Sequence, residues 1–308
     1  MMSLDPLKAT KVIEEKYLDY LETTFALNDN ELHQELVVEL KKPGRFSKGP
    51  ILEATPPFET GNSLLKLIKE GLLSNEFTKL QVNELPLKRD LYIHQEVAIR
   101  KLVQDRRNII VATGTGSGKT ETFLLPILNY LFRQKEKEQL SPGVRALLLY
   151  PMNALANDQL KRLRKLLRNY PAITFGSYTG ETEQHESQAI QKFKKVNPGE
   201  KLLPNELLSR EKMQQSPPHI LLSNYAMLEY LLLRPEDNVF FDGVFAQEWR
   251  FFVVDEAHTY SGAKGIEMAM LLRRLKDRVV KSKPMAVQCI GTSATLGGDK
   301  KDFGRVAQ

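Results

Sequence analysis

Lys119 and Thr120 close the run Thr113-Gly114-Thr115-Gly116-Ser117-Gly118-Lys119-Thr120, which enters from the apolar residues Ile109, Ile110, Val111 and Ala112. A helical pattern, Thr122 to Phe132, follows. Strand, glycine-rich turn and helix in that order make a phosphate site. Glycines let backbone N–H groups face an anion, and the helix N-terminus adds partial positive charge. Thr115, Gly116, Ser117 and Gly118 would form the cradle, Lys119 would reach the β- and γ-phosphates, and the Thr120 hydroxyl would bind Mg²⁺. The position five before Gly118 is commonly Gly or Ala in such loops; here it is Thr113, with Ala112 displaced by one. Taken alone, the stretch also reads as an ordinary glycine-rich turn.

A second apolar run, Phe251 to Val254, delivers Asp255-Glu256-Ala257-His258. An acidic pair after a strand is the partner a phosphate loop needs. Asp255 would hold Mg²⁺ and Glu256 would orient and deprotonate the attacking water. An exposed acidic pair is common by itself; the ordered combination with the loop is what carries the signal.

These residues need a scaffold, and the apolar pattern supplies one. Short apolar runs lie at Asn108 to Ala112, Arg145 to Tyr150, Ala172 to Ser177, His219 to Ser223, Phe251 to Val254 and Ala286 to Gly291, with helical stretches between most of them. Continuous apolar strands alternating with helices predict an α/β fold, a parallel sheet covered by helices on both faces. Ligands in such sheets bind beyond the strand C-termini, where both motifs fall. Residues 87–308 form this domain, with 178–218 a surface insertion whose charged part runs from Glu181 to Pro218. Residues 1–86 read as an accessory region, helical with extended segments: a helix within residues 5–27, a strand-like core at Leu36-Val37-Val38, an extended Ile51 to Phe58, and a helix from Ser63 to Leu73 with Ser63 as N-cap.

The 308 residues fit about two domains. Hydrophobic content of 42% and charged content of 27% are those of a globular chain with a core, and no apolar run is long enough to span a bilayer. The N-terminus has no signal-peptide core. The single cysteine, Cys289, excludes an internal disulfide; in its apolar run it reads as a buried small hydrophobe, and a cytoplasmic location is expected. His94 and His185 lack recognisable partners. The net charge of +6 permits nucleic acid without requiring it. Basic clusters at Lys161 to Arg168, Arg273 to Arg278 and Lys281 to Lys283 fit a solvated helix face or a phosphate-tracking surface equally well.

With both motifs in order, the chain resembles the first motor lobe of a superfamily 2 DExH-box helicase, a RecA-like P-loop fold. Gln95 lies about two dozen residues before Lys119, as does the adenine-reading glutamine of that family. Tyr150-Pro151-Met152-Asn153-Ala154-Leu155 resembles motif Ia, Tyr178-Thr179-Gly180 motif Ib, and Leu222-Ser223-Asn224-Tyr225 the later strand-contacting element. The resemblance implies nucleic-acid contacts at Pro151, Asn153, Ala154, Leu155, Thr179, Gly180, Ser223 and Asn224. Asn153 and Ser223 replace threonines often found there. Ser293-Ala294-Thr295 resembles motif III, which implies that Ser293 and Thr295, with His258, couple the nucleotide and nucleic-acid sites. Glu53 to Phe58, Gly118 to Glu121, Asp255 to Tyr260 and Leu271 to Leu275 resemble large bacterial helicases of the Lhr and YprA kind, some of which serve phage defence.

The implied function is an ATP- and Mg²⁺-dependent helicase or translocase acting on nucleic acid, with DNA ahead of RNA. Only 13 residues follow Thr295, too few for a second RecA-like lobe. That lobe is expected in cis on a longer chain or, second, in trans, and this portion alone is expected to hydrolyse ATP barely. Defence-system proteins are possible partners; a membrane is not. The alternative is an ATP-gated binding or scaffold module that does not separate strands. An intact Glu256 argues against it, because pure binding needs no general base.

Overall fold

In a computed structural model, residues 5–42, 44–46, 57–283 and 286–294 are described. The chain divides into two compact units, Met1–Pro57 and Phe58–Gln308. The first contains α1 (Pro6–Thr24) and α2 (Asn30–Leu40). Helix α2 replaces the expected strand around Leu36-Val37-Val38. Asp29 caps it, accepting from the Glu31 and Leu32 N–H groups at 2.9 and 3.1 Å. His33, Leu36, Val37 and Leu40 are its half-buried positions, together with Glu39. The i, i+3, i+4, i+7 spacing of the first four is helical, and it outweighs the β preference of two adjacent valines. Most of the expected extended segment at Ile51 to Phe58 lies outside the described residues.

The second unit begins with β1 (Thr60–Ser63), α3 (Leu64–Lys69), β2 (Asp90–Tyr92) and α4 (Ile93–Val103). Strands β1 and β2 pair antiparallel, and Ser63 caps α3 as expected. The remaining elements are β3 (Ile109–Ala112), α5 (Lys119–Glu136), β4 (Ala146–Tyr150), α6 (Asn153–Leu167), β5 (Phe175–Ser177), α7 (Glu186–Val196), β6 (Glu206–Leu207), α8 (Arg210–Gln215), β7 (Ile220–Asn224), α9 (Tyr225–Leu233), β8 (Phe251–Val254), α10 (Gly262–Val280) and β9 (Gln288–Ser293). Strands β3 to β9 form one parallel sheet in the order β3-β9-β8-β4-β7-β5-β6.

Period-two alternation sorts each strand's side chains onto two cores. Ala146, Leu148, Tyr150, Ile220, Leu222, Phe251 and Val253 pack with Leu124, Leu128 and Leu131 of α5 and Leu163 and Leu167 of α6. Leu147, Leu149, Leu221 and Phe252 pack on the other face with Leu228 and Leu231 of α9 and Leu271 and Leu275 of α10. Leu64, Leu67, Phe77 and Leu85 join the first of these cores. The compact division therefore falls between residues 57 and 58, not at 86. The insertion also contributes to the sheet: β6 extends it beyond β5, and Met213 of α8 is buried in the second core. Cys289 is exposed, contrary to expectation; the adjacent Ile110 on edge strand β3 is 42% exposed on the same flank.

Candidate functional site

The strand order decides what meets at the sheet's C-terminal edge. Strands β3, β9 and β8 are adjacent and deliver the glycine loop, Thr292-Ser293 and Asp255-Glu256 side by side. Strands β4, β7 and β5 are adjacent in turn and deliver Pro151 to Leu155, Ser223-Asn224 and Thr179-Gly180.

The loop is built as its glycines require. Gly116 has φ +76° and Gly118, the N-cap of α5, φ +72°. A Cβ at Gly118 would also lie 2.4 Å from Gln95 Nε2, so no side chain fits there without displacing Gln95. Thr113, the odd residue of the loop, braces it: the Thr113 Oγ1 lies 2.6 Å from the Oγ of buried Ser117 and ties the loop across its base. Thr115 and Gly116 are exposed at the loop's tip, and Thr120 is half-buried at the second position of α5. Lys119 Nζ donates to the Thr113 and Gly114 carbonyls at 2.9 and 3.1 Å, which curls its ammonium over the loop mouth.

Gln95 is 2% exposed. Its Oε1 accepts from Tyr92 N–H at 2.9 Å and its Nε2 donates to the Gly118 carbonyl at 2.9 Å, so it moors the loop to the start of α4. His94 Nε2 lies 2.9 Å from the Ser117 carbonyl oxygen. Burial lowers the His94 pKa below its ordinary value. Its ring stacks on Tyr92 at 5.7 Å between centroids, and Phe58 closes the cluster at 5.6 Å from His94. Sequence reasoning set His94 aside; its place beside Gln95 was the available signal.

Asp255 is held by backbone and side chain together. Its N–H donates to the Leu149 carbonyl at 2.9 Å, and its Oδ1 accepts from the Thr292 hydroxyl. Burial raises the Asp255 pKa, while the Thr292 hydrogen bond and the Lys119 charge oppose that rise. Glu256 adopts left-handed backbone, φ +48° and ψ +48°, and its N–H donates to Thr292 Oγ1 at 3.2 Å. This conformation is costly for a non-glycine residue and persists where the surroundings over-determine it. Glu256 Oε2 and Ser293 Oγ lie 3.4 and 3.1 Å from His258 Nδ1. The Thr113 N–H donates to the Ser293 carbonyl at 3.3 Å. The end of β9 thus touches loop, Asp255, Glu256 and His258. Thr292, which sequence reasoning missed, shares these contacts with the expected Ser293; Thr295 lies outside the described residues.

Glu121, one residue after Thr120, was also missed as a positioning group. It is 7% exposed, and its Oε1 lies 2.6 Å from Arg162 Nη2 of α6 and 3.4 Å from Arg89 Nη2.

On the other half of the edge, Asn224 Nδ2 donates to Asn153 Oδ1 at 2.7 Å and Asn153 Nδ2 donates to Glu181 Oε1 at 2.9 Å. Asn224 Oδ1 also caps α9 through the Met227 N–H at 2.8 Å. One chain of amides therefore joins all three loops. Ser223 is fully buried and donates to the Tyr178 carbonyl at 2.8 Å; Thr179 is 3% exposed and its Oγ1 accepts from the Glu181 N–H at 3.2 Å. Neither hydroxyl faces outward. Ala154 and Gly180 are exposed, and Pro151, Asn153 and Leu155 are half-buried.

Fold and loop together define a P-loop nucleotide-binding lobe of the RecA-like kind. The chain belongs to the DEAD/DEAH box helicase family, which matches residues 92–303. It is 32% identical to the Druantia protein DruE of Escherichia coli (strain UMEA 4076-1) over 93% of this chain and 20% of that protein. It is 31% identical to the uncharacterized ATP-dependent helicase YprA of Bacillus subtilis (strain 168), over 69% of this chain and 24% of that one. The crystal structure of the DUF1998 helicase MrfA bound to DNA and AMPPNP superimposes with a TM-score of 0.58 at 23% identity, covering 82% of this chain and 29% of that one. The expected resemblance to YprA-like and defence-associated helicases holds. The chain spans between a fifth and a quarter of these two curated relatives.

Proposed function

We propose that this lobe binds ATP·Mg²⁺ and is part of an ATP-dependent motor that moves on nucleic acid. The observation that carries the reading is the junction at the end of β9, where Thr292 contacts both Asp255 and Glu256 and Ser293 contacts His258 and the glycine loop. In this reading Lys119 exchanges its two carbonyl partners for the β- and γ-phosphates. The backbone N–H groups of Thr115 through Thr120 cradle the anion, and Thr120 and Asp255 hold the metal. Glu256 accepts the proton of the attacking water, and its fixed backbone aims the carboxylate. Gln95 moors the loop and uses its remaining amide capacity to read adenine.

Nucleic acid crosses the edge formed by Pro151, Asn153, Ala154, Leu155, Thr179, Gly180, Ser223 and Asn224. Buried Ser223 and Thr179 shape that edge, while backbone groups and exposed Ala154 and Gly180 meet the strand. Ser293 and His258 form the link from Glu256 toward that edge. DNA is the proposed strand, in line with the DNA in the MrfA structure. Defence-system proteins are proposed partners by the likeness to DruE.

Single-turnover hydrolysis by the longest chain that carries this lobe tests the motor reading. Glu256→Gln should leave ATP binding near normal and reduce hydrolysis by about 10² or more. An unchanged rate would favour a module that holds nucleotide without turning it over.

A further inference from the structure

A second cavity lies at the opposite edge of the sheet from the glycine loop. It has a volume of about 650 Å³ and is bounded by the C-terminal end of α4, the C-terminal half of α5, the turn after α3, and the starts of β8 and β9. That size is within the range of small-molecule sites. None of the proposed nucleotide-site or strand-contacting residues lines it.

Its charge is one-sided. Arg100, Arg106, Arg133, Lys137 and Arg250 line it against one carboxylate, Glu70. Glu70 is already claimed by Arg100 at 2.8 Å. Arg133 Nη2 donates to the Gly71 and Leu72 carbonyls at 2.7 and 3.1 Å, which orients its guanidinium without neutralising it. Arg250 is likewise oriented by the Ala286 carbonyl at 3.3 Å. Among the described residues, no carboxylate forms an ion pair with Arg106, Arg133 or Lys137. Two carboxylates lie outside the lining: Glu96, which also pairs with Arg100 at 2.9 Å, and Glu248, which accepts from Gln134 at 3.0 Å.

Two further observations mark the cavity as assembled. Arg106 has φ +53°, a left-handed conformation that an arginine rarely adopts. Burial lowers the Arg250 pKa, and the like charge of Arg106 adds to the effect. Like-charged guanidinium groups are thus held within electrostatic reach at the expense of backbone strain and desolvation. Tyr130 and Phe251, edge to face at 5.6 Å, give the cavity an apolar wall.

We propose that this cavity is a second anion site, which takes a compact ligand bearing two or more phosphate groups. Phosphate fits better than a lone carboxylate because each group carries up to two charges and accepts the forked donors of arginine. The shared chemistry admits two sources, a free polyphosphate or nucleotide tail and a nucleic-acid backbone. The concave shape and apolar wall favour the first.

The test is calorimetry with pyrophosphate and tripolyphosphate on the chain carrying Lys119→Ala, which disables the glycine loop. Binding should persist there, and it should weaken by about tenfold or more when Arg106→Gly or Lys137→Glu is added. Arg106→Gly relieves the positive φ, so its melting temperature should not fall, and lost affinity then reports lost charge. In the chain with Lys119 intact, neither substitution should change ATP affinity at the glycine loop. Because the glycine loop is already disabled in the first arm, failure of this site and failure of the proposed motor read out separately. No pyrophosphate binding in Lys119→Ala, or binding indifferent to Arg106 and Lys137, overturns the site. Binding of a single-stranded oligonucleotide but of neither polyphosphate overturns the compact-ligand assignment.

Discussion

Thr292 is a single hydroxyl that serves two carboxylate-bearing residues, and its removal should be felt through pH. Burial raises the Asp255 pKa, so protonated Asp255 favours the metal-free fold at low pH, and that contribution is lost as pH rises through the raised value. Metal binding needs the carboxylate and has the opposite slope: it should weaken as pH falls through the same value. Thr292→Val deletes a hydrogen bond that holds this pKa down, so the loss of Mg²⁺-dependent nucleotide affinity should move to higher pH. Nucleotide titrations with and without Mg²⁺ over a pH series would check this; an unmoved profile would remove Thr292 from the proposed metal site. Gln95 gives a different signature. Gln95→Ala cuts its bond to Gly118, which should weaken ATP and GTP alike by about 2- to 10-fold. Any additional loss for ATP over GTP measures adenine reading, and equal losses would confine Gln95 to mooring the loop.

At the scale of elements, β6 is held by an ion pair as well as by its short ladder. Arg164 of α6 donates through Nε and Nη2 to the two Glu206 carboxylate oxygens at 2.7 and 2.6 Å, and the Glu206 side chain is 1% exposed. Glu206→Ala should destabilise the fold by about 3 kcal/mol, the low end for breaking a buried pair, because Glu200 remains 2.9 Å from Arg164. Hydrogen exchange should rise first in β5, β6 and α7; protection unchanged there would mean the pair is idle. This is also where sequence was least informative. The six long strands were legible because each is a run of apolar residues between helical stretches. The two residues of β6, Glu206 and Leu207, show no periodicity, and their pairing depends on a distant arginine. Helix α2 was obscured by the Val37-Val38 pair, and the exposure of Cys289 by the position of β9 next to the edge strand. In the site, loop and acidic pair were readable from type and order. The parts played by Thr292 and Glu121 were not, since they depend on which elements lie side by side.

For the whole molecule, rate and grip should separate. Among the described residues, Arg89 and Arg162 both face Glu121, one residue after Thr120. Arginines engaged in that way are not offered to the γ-phosphate, and a residue that is offered is worth about 10³ to 10⁵ in rate. Residues 1–308 should therefore bind ATP·Mg²⁺ but hydrolyse it near background, with or without single strands. Residues 1–308 joined to a second RecA-like lobe should show stimulated turnover. Comparing the two by steady-state hydrolysis is decisive, since robust turnover by the shorter chain would mean that a second copy or an internal group completes the site. Strand binding by the shorter chain should be weak, should fall with salt and should show little sequence preference, as expected of backbone contacts.

The amide chain that joins Asn224, Asn153 and Glu181 constrains how this edge can evolve. An asparagine at 153 spans two neighbours because it carries an acceptor at one end and a donor at the other. Threonine, the residue that the motif resemblance implies here, has one short hydroxyl and cannot reach both. Restoring the common residue here would break the tie unless positions 181 and 224 changed with it. The three positions should behave as an epistatic unit, in which Asn153→Thr alone is disruptive.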